Sequence, residues 1–333
     1  MNDKDIDLCG LGNGLVDLIY EVSFEEFENL PLPLKRGEMI LAEPNVQKSL
    51  IEVLKGKAYK ICSGGSAANS IIAFSQLGGK SAYHTVVGDD EFGKFYVDEF
   101  LNLGIYINAP MINEPTGTCL VLITPDSERT MITSLGATAH FGPEHITPEF
   151  IKRAKWVYLE GYKFTAEKST QALFYAIDLG KRYGSKVALT LSDVFVIQNY
   201  YDQVLKALEY IDLLFCNEAE ALALTETKVI DEAVRRIKMM VPNFVITRGS
   251  EGSIAFISGK QYSFEAFPTQ AVDTTGAGDM YAGAFLFGLI KKSDVDFAGR
   301  LASLSASYVV SQFGARMQTN HKSLVKQIEE SKL

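Results

Sequence analysis

Short apolar stretches alternate with longer amphipathic ones along most of the chain. The stretches 6–11, 82–87, 156–159, 186–191, 213–216 and 244–247 are brief and apolar, which predicts strands. The segments 67–77, 92–103, 169–183, 231–240, 277–291 and 297–312 read as helices. Segment 277–291 is apolar on nearly every side, so its helix is expected to be buried. Strands alternating with helices indicate a parallel sheet covered on both faces. Gly78, Gly79 and Gly104 follow two of the helices, where a left-handed C-cap is expected.

Two regions break this rhythm. Residues 15–45 and 106–135 read as short strands and turns, and the second holds a hairpin pattern, 118–124 and 129–134 around Pro125-Asp126-Ser127. The expected division is an α/β core of residues 1–14, 46–105 and 136–333, with a small β-rich lid of residues 15–45 and 106–135.

At 333 residues the chain is long enough for one large α/β domain with an attached piece. Apolar residues at 47% and charged residues at 22% suit a globular enzyme with a substantial core. A net charge of −9 argues against a nucleic-acid or membrane-surface partner, which would call for a basic face. Cys9, Cys62, Cys119 and Cys216 are scattered beside apolar residues, so buried free thiols are expected rather than disulfides or zinc. The acidic start lacks the basic and apolar regions of a signal peptide, and no apolar run is long enough to span a bilayer. The cytoplasm is the expected compartment.

Candidate chemistry centres on Asp273-Thr274-Thr275-Gly276-Ala277-Gly278-Asp279, which opens the apolar helix. Free N–H groups of a first turn and the helix dipole favour phosphate oxygens. An aspartate facing a hydroxyl there can serve as a general base, although an acid in a first turn also simply stabilises a helix. Ser63-Gly64-Gly65-Ser66-Ala67-Ala68-Asn69 leads into another helix. Its small residues permit close backbone approach, and Asn69 can donate and accept toward a polyol; capping by Ser63 or Ser66 is the plainer role.

Gly10-Leu11-Gly12-Asn13-Gly14 suggests a dinucleotide loop but has Leu15 where the third glycine belongs. Asp17 beyond it is either a turn residue or an acceptor for two sugar hydroxyls. Gly79-Lys80-Ser81 lacks the first glycine of a phosphate loop, since Phe74 stands there. The protein-kinase triplets are absent, so any phosphoryl transfer uses another architecture. Gly64-x-Ser66-x-Ala68 as a hydrolase nucleophile elbow is disfavoured by the shortage of histidine partners, His321 being the one that follows plausible acids. Asn217-Glu218-Ala219-Glu220 forms a capping box by spacing, while Glu220 also suits a water of a Mg²⁺ shell. Thr247-Arg248-Gly249 with Gly252 ends a strand as a β-turn or as a contact for nucleotide phosphates.

Taken together, these segments resemble the ribokinase-like family of sugar and nucleoside kinases, the phosphofructokinase B type. Gly64 to Asn69, Leu77-Gly78-Gly79 and Val87-Gly88-Asp89-Asp90-Glu91-Phe92-Gly93 look like its first signature. Asp273 to Asp279, continuing into Ala282-Gly283-Ala284-Phe285, looks like its second. Within the family the chain is most similar to the bacterial adenosine-kinase branch, through Gly12 to Asp17, Leu159-Glu160-Gly161-Tyr162, Thr190-Leu191-Ser192-Asp193 and Leu135-Gly136-Ala137. Gly37-Glu38-Met39-Ile40-Leu41 is less like that branch, and Lys163-Phe164-Thr165 lacks the prolines expected after Tyr162.

The resemblance implies a three-layer α/β/α core, its central sheet mostly parallel with about nine strands, and a β-rich lid that closes over substrate. It implies transfer of the ATP γ-phosphate to a primary hydroxyl, with adenosine the first acceptor and inosine, guanosine, ribose or fructose the alternatives. Asp279 would be the base, and Gly276, Ala277 and Gly278 the anion hole. Asn13, Asp17, Gly64, Gly65 and Asn69 would bind the acceptor, with Phe195 a candidate to stack on a purine. Asn217, Thr247, Arg248, Gly249 and Gly252 would line the ATP site, and Glu220 would organise Mg²⁺ through water. A non-catalytic ligand-binding protein on the same fold is the alternative of another class. A monomer or a lid-mediated homodimer is expected.

Overall fold

The apolar stretches pair into one nine-stranded sheet in the computed structural model, which describes residues 4–126, 128–317 and 321–331. Its order is Lys260–Phe264, Ser253–Ile257, Phe244–Thr247, Leu213–Asn217, Lys186–Thr190, Ala154–Glu160, Ile6–Leu11, Ser81–His84 and Tyr106–Asn108. The run from Phe244–Thr247 to Tyr106–Asn108 is parallel throughout. Its inner strands are buried on both faces, as the apolar composition requires, and an apolar core fills each side of the sheet. This is the mostly parallel, nine-stranded α/β core that the resemblance implies.

All six expected strands and all six expected helices form, Ile6–Leu11 and Phe244–Thr247 with the expected ends and the others with shifted ones. The expected helix 277–291 ends early, at Ala277–Phe287, where it passes into a π-helical turn, Gly288–Lys292. Gly78 and Gly104 take φ of 108° and 72°, the left-handed caps read from the sequence. Strands Ser253–Ile257 and Lys260–Phe264 lie outside the stretches that the pattern predicts. They join through Ser258-Gly259, both at positive φ (50° and 81°), a two-residue turn whose twist suits a hairpin.

A second, five-stranded sheet has the order Met39–Leu41, Arg129–Ser134, Gly117–Ile123, Leu15–Glu21 and Lys60–Gly64. The expected hairpin is its antiparallel pair Gly117–Ile123 and Arg129–Ser134. Three strands depart from the expected division, one of them Met111–Ile112, which pairs with Val87–Gly88 in a two-stranded sheet of its own. Lys60–Gly64 belongs to this second sheet, pairing antiparallel with Leu15–Glu21 and ending at the Gly64-Gly65 turn. Tyr106–Asn108 instead joins the main sheet, since the helix Glu91–Asn102 returns the chain to that edge as a parallel crossover does.

The main sheet changes winding direction between Ile6–Leu11 and Ala154–Glu160. Ligands of open α/β sheets bind at the carboxyl ends beside such a point. Beneath it, helices Ser66–Gln76 and Ala277–Phe287 pack closely. A Cβ on Gly283 would lie 2.4 Å from the Ser70 carbonyl oxygen, so only glycine permits this approach.

Candidate active site

A cleft of about 800 Å³ opens at the carboxyl ends of the main-sheet strands and beneath the second sheet. Asn13, Tyr162, Asp193, Asn217, Glu220 and Thr247 line it, each from the end of a main-sheet strand or just beyond it. Asp17, Met39, Arg129 and Met131 enter from the second sheet. Gly65, Ser66 and Asn69 come from one helix start, and Thr274, Gly276, Gly278 and Asp279 from another.

The two helix starts meet at Asp279. Ser66 Oγ donates to Asp279 Oδ1 at 2.6 Å, and Asn69 Nδ2 donates to Oδ2 at 3.0 Å. Burial pushes the Asp279 carboxyl up to about 6, against the pull of these two hydrogen bonds and of the Arg129 charge. The Ser66 hydroxyl donates to a carboxylate and, among the described residues, no histidine lines the cleft, so the triad that a nucleophile elbow needs is not assembled there.

Gly276 at φ 66° turns the chain into the helix, where a side chain would collide with Ala315. Among the described residues, the N–H groups of Gly276, Gly278 and Asp279 have no acceptor, whereas that of Ala277 is turned to the Thr274 carbonyl at 3.3 Å. A Cβ on Gly278 would touch nothing within 4 Å, so that face of the turn lies open to the cleft.

Two acceptor groups here are unspent. Asn69 Oδ1 is buried without a hydrogen-bond partner among the described residues. The Asp17 carboxylate is 9% exposed, and no donor among the described residues reaches it. Burial lifts Asp17 to about 6, moderated by Arg129 and Arg316. Gly64 lies against it, since a Cβ there would sit 2.1 Å from Asp17 Oδ1. Gly65, at φ 102°, lies on the Asn13 carbonyl in the same way.

Asn217 caps its helix and holds Glu220 through Nδ2 at 2.7 Å and its own N–H at 3.1 Å, so the capping box is real. Burial raises Glu220 to about 7. Thr247 lines the cleft, but Arg248, Gly249 and Gly252 do not: Arg248 is ion-paired with Glu218 and Glu251. Phe195 lies outside the cleft lining, 37% exposed, with its ring edge against Tyr200.

Arg129, Tyr162, Asp193 and Lys163 had not been singled out as site residues. Arg129 reaches from the second sheet to Asp273, 3.4 Å away, and its Nε makes no hydrogen bond. The signal available was an arginine at the start of a hairpin strand whose other residues are uncharged, Arg129–Ser134. Cys9, Cys119 and Cys216 are buried and Cys62 half-buried, all four unpaired. No helix is long and apolar enough to cross a membrane among the described residues.

The description pfkB family carbohydrate kinase matches residues 35–322. Ribokinase of Haemophilus influenzae is 28% identical over 80% of this chain and 86% of its own. Adenosine kinase of Saccharomyces cerevisiae is 27% identical over 91% of this chain and 95% of its own. The solved adenosine kinase of Sinorhizobium meliloti superposes with a TM-score of 0.90 at 30% identity, covering 97% of this chain and 99% of that one. With the fold, the cleft and the sequence in agreement, the chain belongs to the pfkB family of carbohydrate kinases and is an ATP-dependent kinase acting on a hydroxyl acceptor.

Proposed function

We propose that this kinase phosphorylates the primary 5′-hydroxyl of a nucleoside, adenosine first, giving AMP and ADP. The observation that carries the reading is the trio of Asp17, Asn69 and Asp279. A buried amide oxygen without a partner and a carboxylate open to the cleft face the same space as a hydrogen-bonded carboxylate at a bare helix start. Unpartnered buried oxygens are costly, and a vicinal diol supplies the donors that satisfy them. Asp17 and Asn69 then hold the sugar hydroxyls, and the primary hydroxyl reaches Asp279. Full-length similarity to adenosine kinases of two organisms supports the nucleoside over a free sugar, while the ribokinase relative keeps sugars in the test.

Phosphoryl transfer asks mainly for alignment and charge stabilisation. Asp279 takes the hydroxyl proton as the oxygen bonds to the γ-phosphorus. The bond from that phosphorus to the β–γ bridging oxygen breaks, and its electron pair leaves with ADP. The free N–H groups of Gly276 and Gly278 and the Arg129 guanidinium meet the charge on the transferring group. Thr247 and Asn217 line the nucleotide end.

The donors near that end are oxygens, which suits Mg²⁺. Among the described residues no three acidic, histidine or cysteine side chains form a ready cage, so phosphate oxygens and waters would complete the shell. Glu220 would fix one such water. When bound, Mg²⁺ neutralises phosphate charge.

ADP formation over a panel of adenosine, inosine, guanosine, ribose and fructose tests the reading. Activity highest with adenosine, with 5′-AMP identified by mass, supports it. Turnover of free sugars alone replaces it with a sugar kinase, and binding without ADP formation replaces it with a silent binding protein.

A further inference from the structure

Lys163 is a buried cation that the phosphoryl transfer does not use, 3% exposed in the turn after strand Ala154–Glu160. Its Nζ donates to Asn13 Oδ1 at 2.6 Å and to Thr138 Oγ1 at 3.3 Å, and it lies 4.8 Å from the centre of the Phe141 ring. The Thr138 hydroxyl in turn donates to the same Asn13 oxygen at 3.3 Å. Glu160 stands below, accepting the N–H of Asn13 and of Ala67, each at 2.7 Å. Burial pulls Lys163 down and pushes Glu160 up, and their mutual attraction opposes both.

An ammonium has donors and no acceptor. It therefore dictates which end of the Asn13 amide turns inward. The oxygen is claimed by two donors, and the nitrogen is what Asn13 presents to the cleft it lines. The residue cannot swing as a whole, because its N–H is held by Glu160 and its carbonyl by the hydroxyls of Tyr83 and Tyr96 at 3.2 and 3.3 Å.

We propose that Lys163 is a positioning residue that locks Asn13 with its amide nitrogen facing the cleft, so that the site selects an acceptor substrate bearing a proton-free hydrogen-bond acceptor there. This rests on the nucleoside-kinase reading of the cleft. In a nucleoside that atom is a ring nitrogen of the base or the ether oxygen of the furanose. A site built to bond a polar atom rejects the analogue lacking it far more strongly than it senses a missing methylene.

Steady-state kinetics with adenosine, its 1-, 3- and 7-deaza analogues and its carbocyclic analogue test the lock. For the wild type, one analogue loses at least about ten-fold in kcat/KM. A deaza analogue assigns the contact to the base, the carbocyclic one to the sugar, and equal rates with all of them overturn the proposal. Asn13→Asp keeps the shape and the Lys163 contact but offers the cleft an acceptor. It raises KM for adenosine at least about 30-fold, with kcat within about five-fold. A KM within about three-fold of wild type contradicts the lock.

Lys163→Met lets the amide turn, so discrimination against the sensitive analogue falls below about three-fold. A lysine of purely structural role would lower the melting temperature and leave that ratio intact, which also overturns the proposal. If Lys163→Met does not fold, Asn13→Asp decides. A wild type inactive on every nucleoside counts against the nucleoside reading itself, whereas an active one with an unchanged Asn13→Asp counts against the lock alone.

Discussion

Asp279 owes its chemistry to two opposed effects. Burial raises its carboxyl, while Ser66, Asn69 and Arg129 favour the charged form, leaving it at about 6. Such a group is ionised at neutral pH yet basic enough to accept a proton in the transition state. With saturating substrates, kcat should rise with pH as Asp279 ionises and then level off, falling about ten-fold per unit well below that point. The acid limb of kcat/KM should be steeper, because Asp17 titrates in the same range at about 6 and must be charged to accept hydroxyls. A kcat that stays flat from about pH 5 to pH 8 would remove Asp279 as the base. The Asp279 turn was legible because glycines at a helix start are a local pattern. Arg129 and Lys163 were not, since each acts on a residue distant in sequence, Asp273 or Asn13, and a single cation carries no spacing signal.

At the scale of elements, the two helices that carry Ser66, Asn69 and Asp279 are held in register by the absence of a side chain. Gly283 touches Ser70 and Ala73 across the contact. Gly283→Val would force the helices apart and displace Asp279 from Asn69. The expected result is a kcat at least about ten-fold lower, since catalytic geometry is sensitive to displacements of about 1 Å. Wild-type kcat in a folded Gly283→Val protein would show that the packing does not set the site. Helix and strand existence was readable from periodicity, whereas the hairpin through Ser258-Gly259 was missed because its second strand, Lys260–Phe264, is largely polar and at the sheet edge. Phe195, which the resemblance makes a candidate to stack on a purine, follows the helix start at Asp193 and is partly exposed.

For the molecule as a whole, the cleft exists because two sheets meet over one switch point. Among the described residues, Arg129 links the second sheet to the Asp273 turn by an ion pair. We propose that this sheet is the lid, and that Arg129 brings positive charge to the phosphate only when it is down. Arg129→Met should lower kcat at least about ten-fold while the acceptor KM changes by less than about three-fold. An equal loss in both would make Arg129 a substrate-binding residue instead. The parallel core was legible in the strand–helix alternation. The lid boundary was not, since Lys60–Gly64 and Tyr106–Asn108 are short and the choice of sheet for each is made by long-range pairing.

The most direct measurement is single-turnover phosphoryl transfer by wild type and Asp279→Asn with Mg²⁺-ATP and adenosine, with adenosine affinity measured in parallel. Asparagine keeps the size and one acceptor for Ser66 but takes no proton, so transfer should slow at least about 100-fold while adenosine binding persists. Transfer by Asp279→Asn at the wild-type rate would contradict the account.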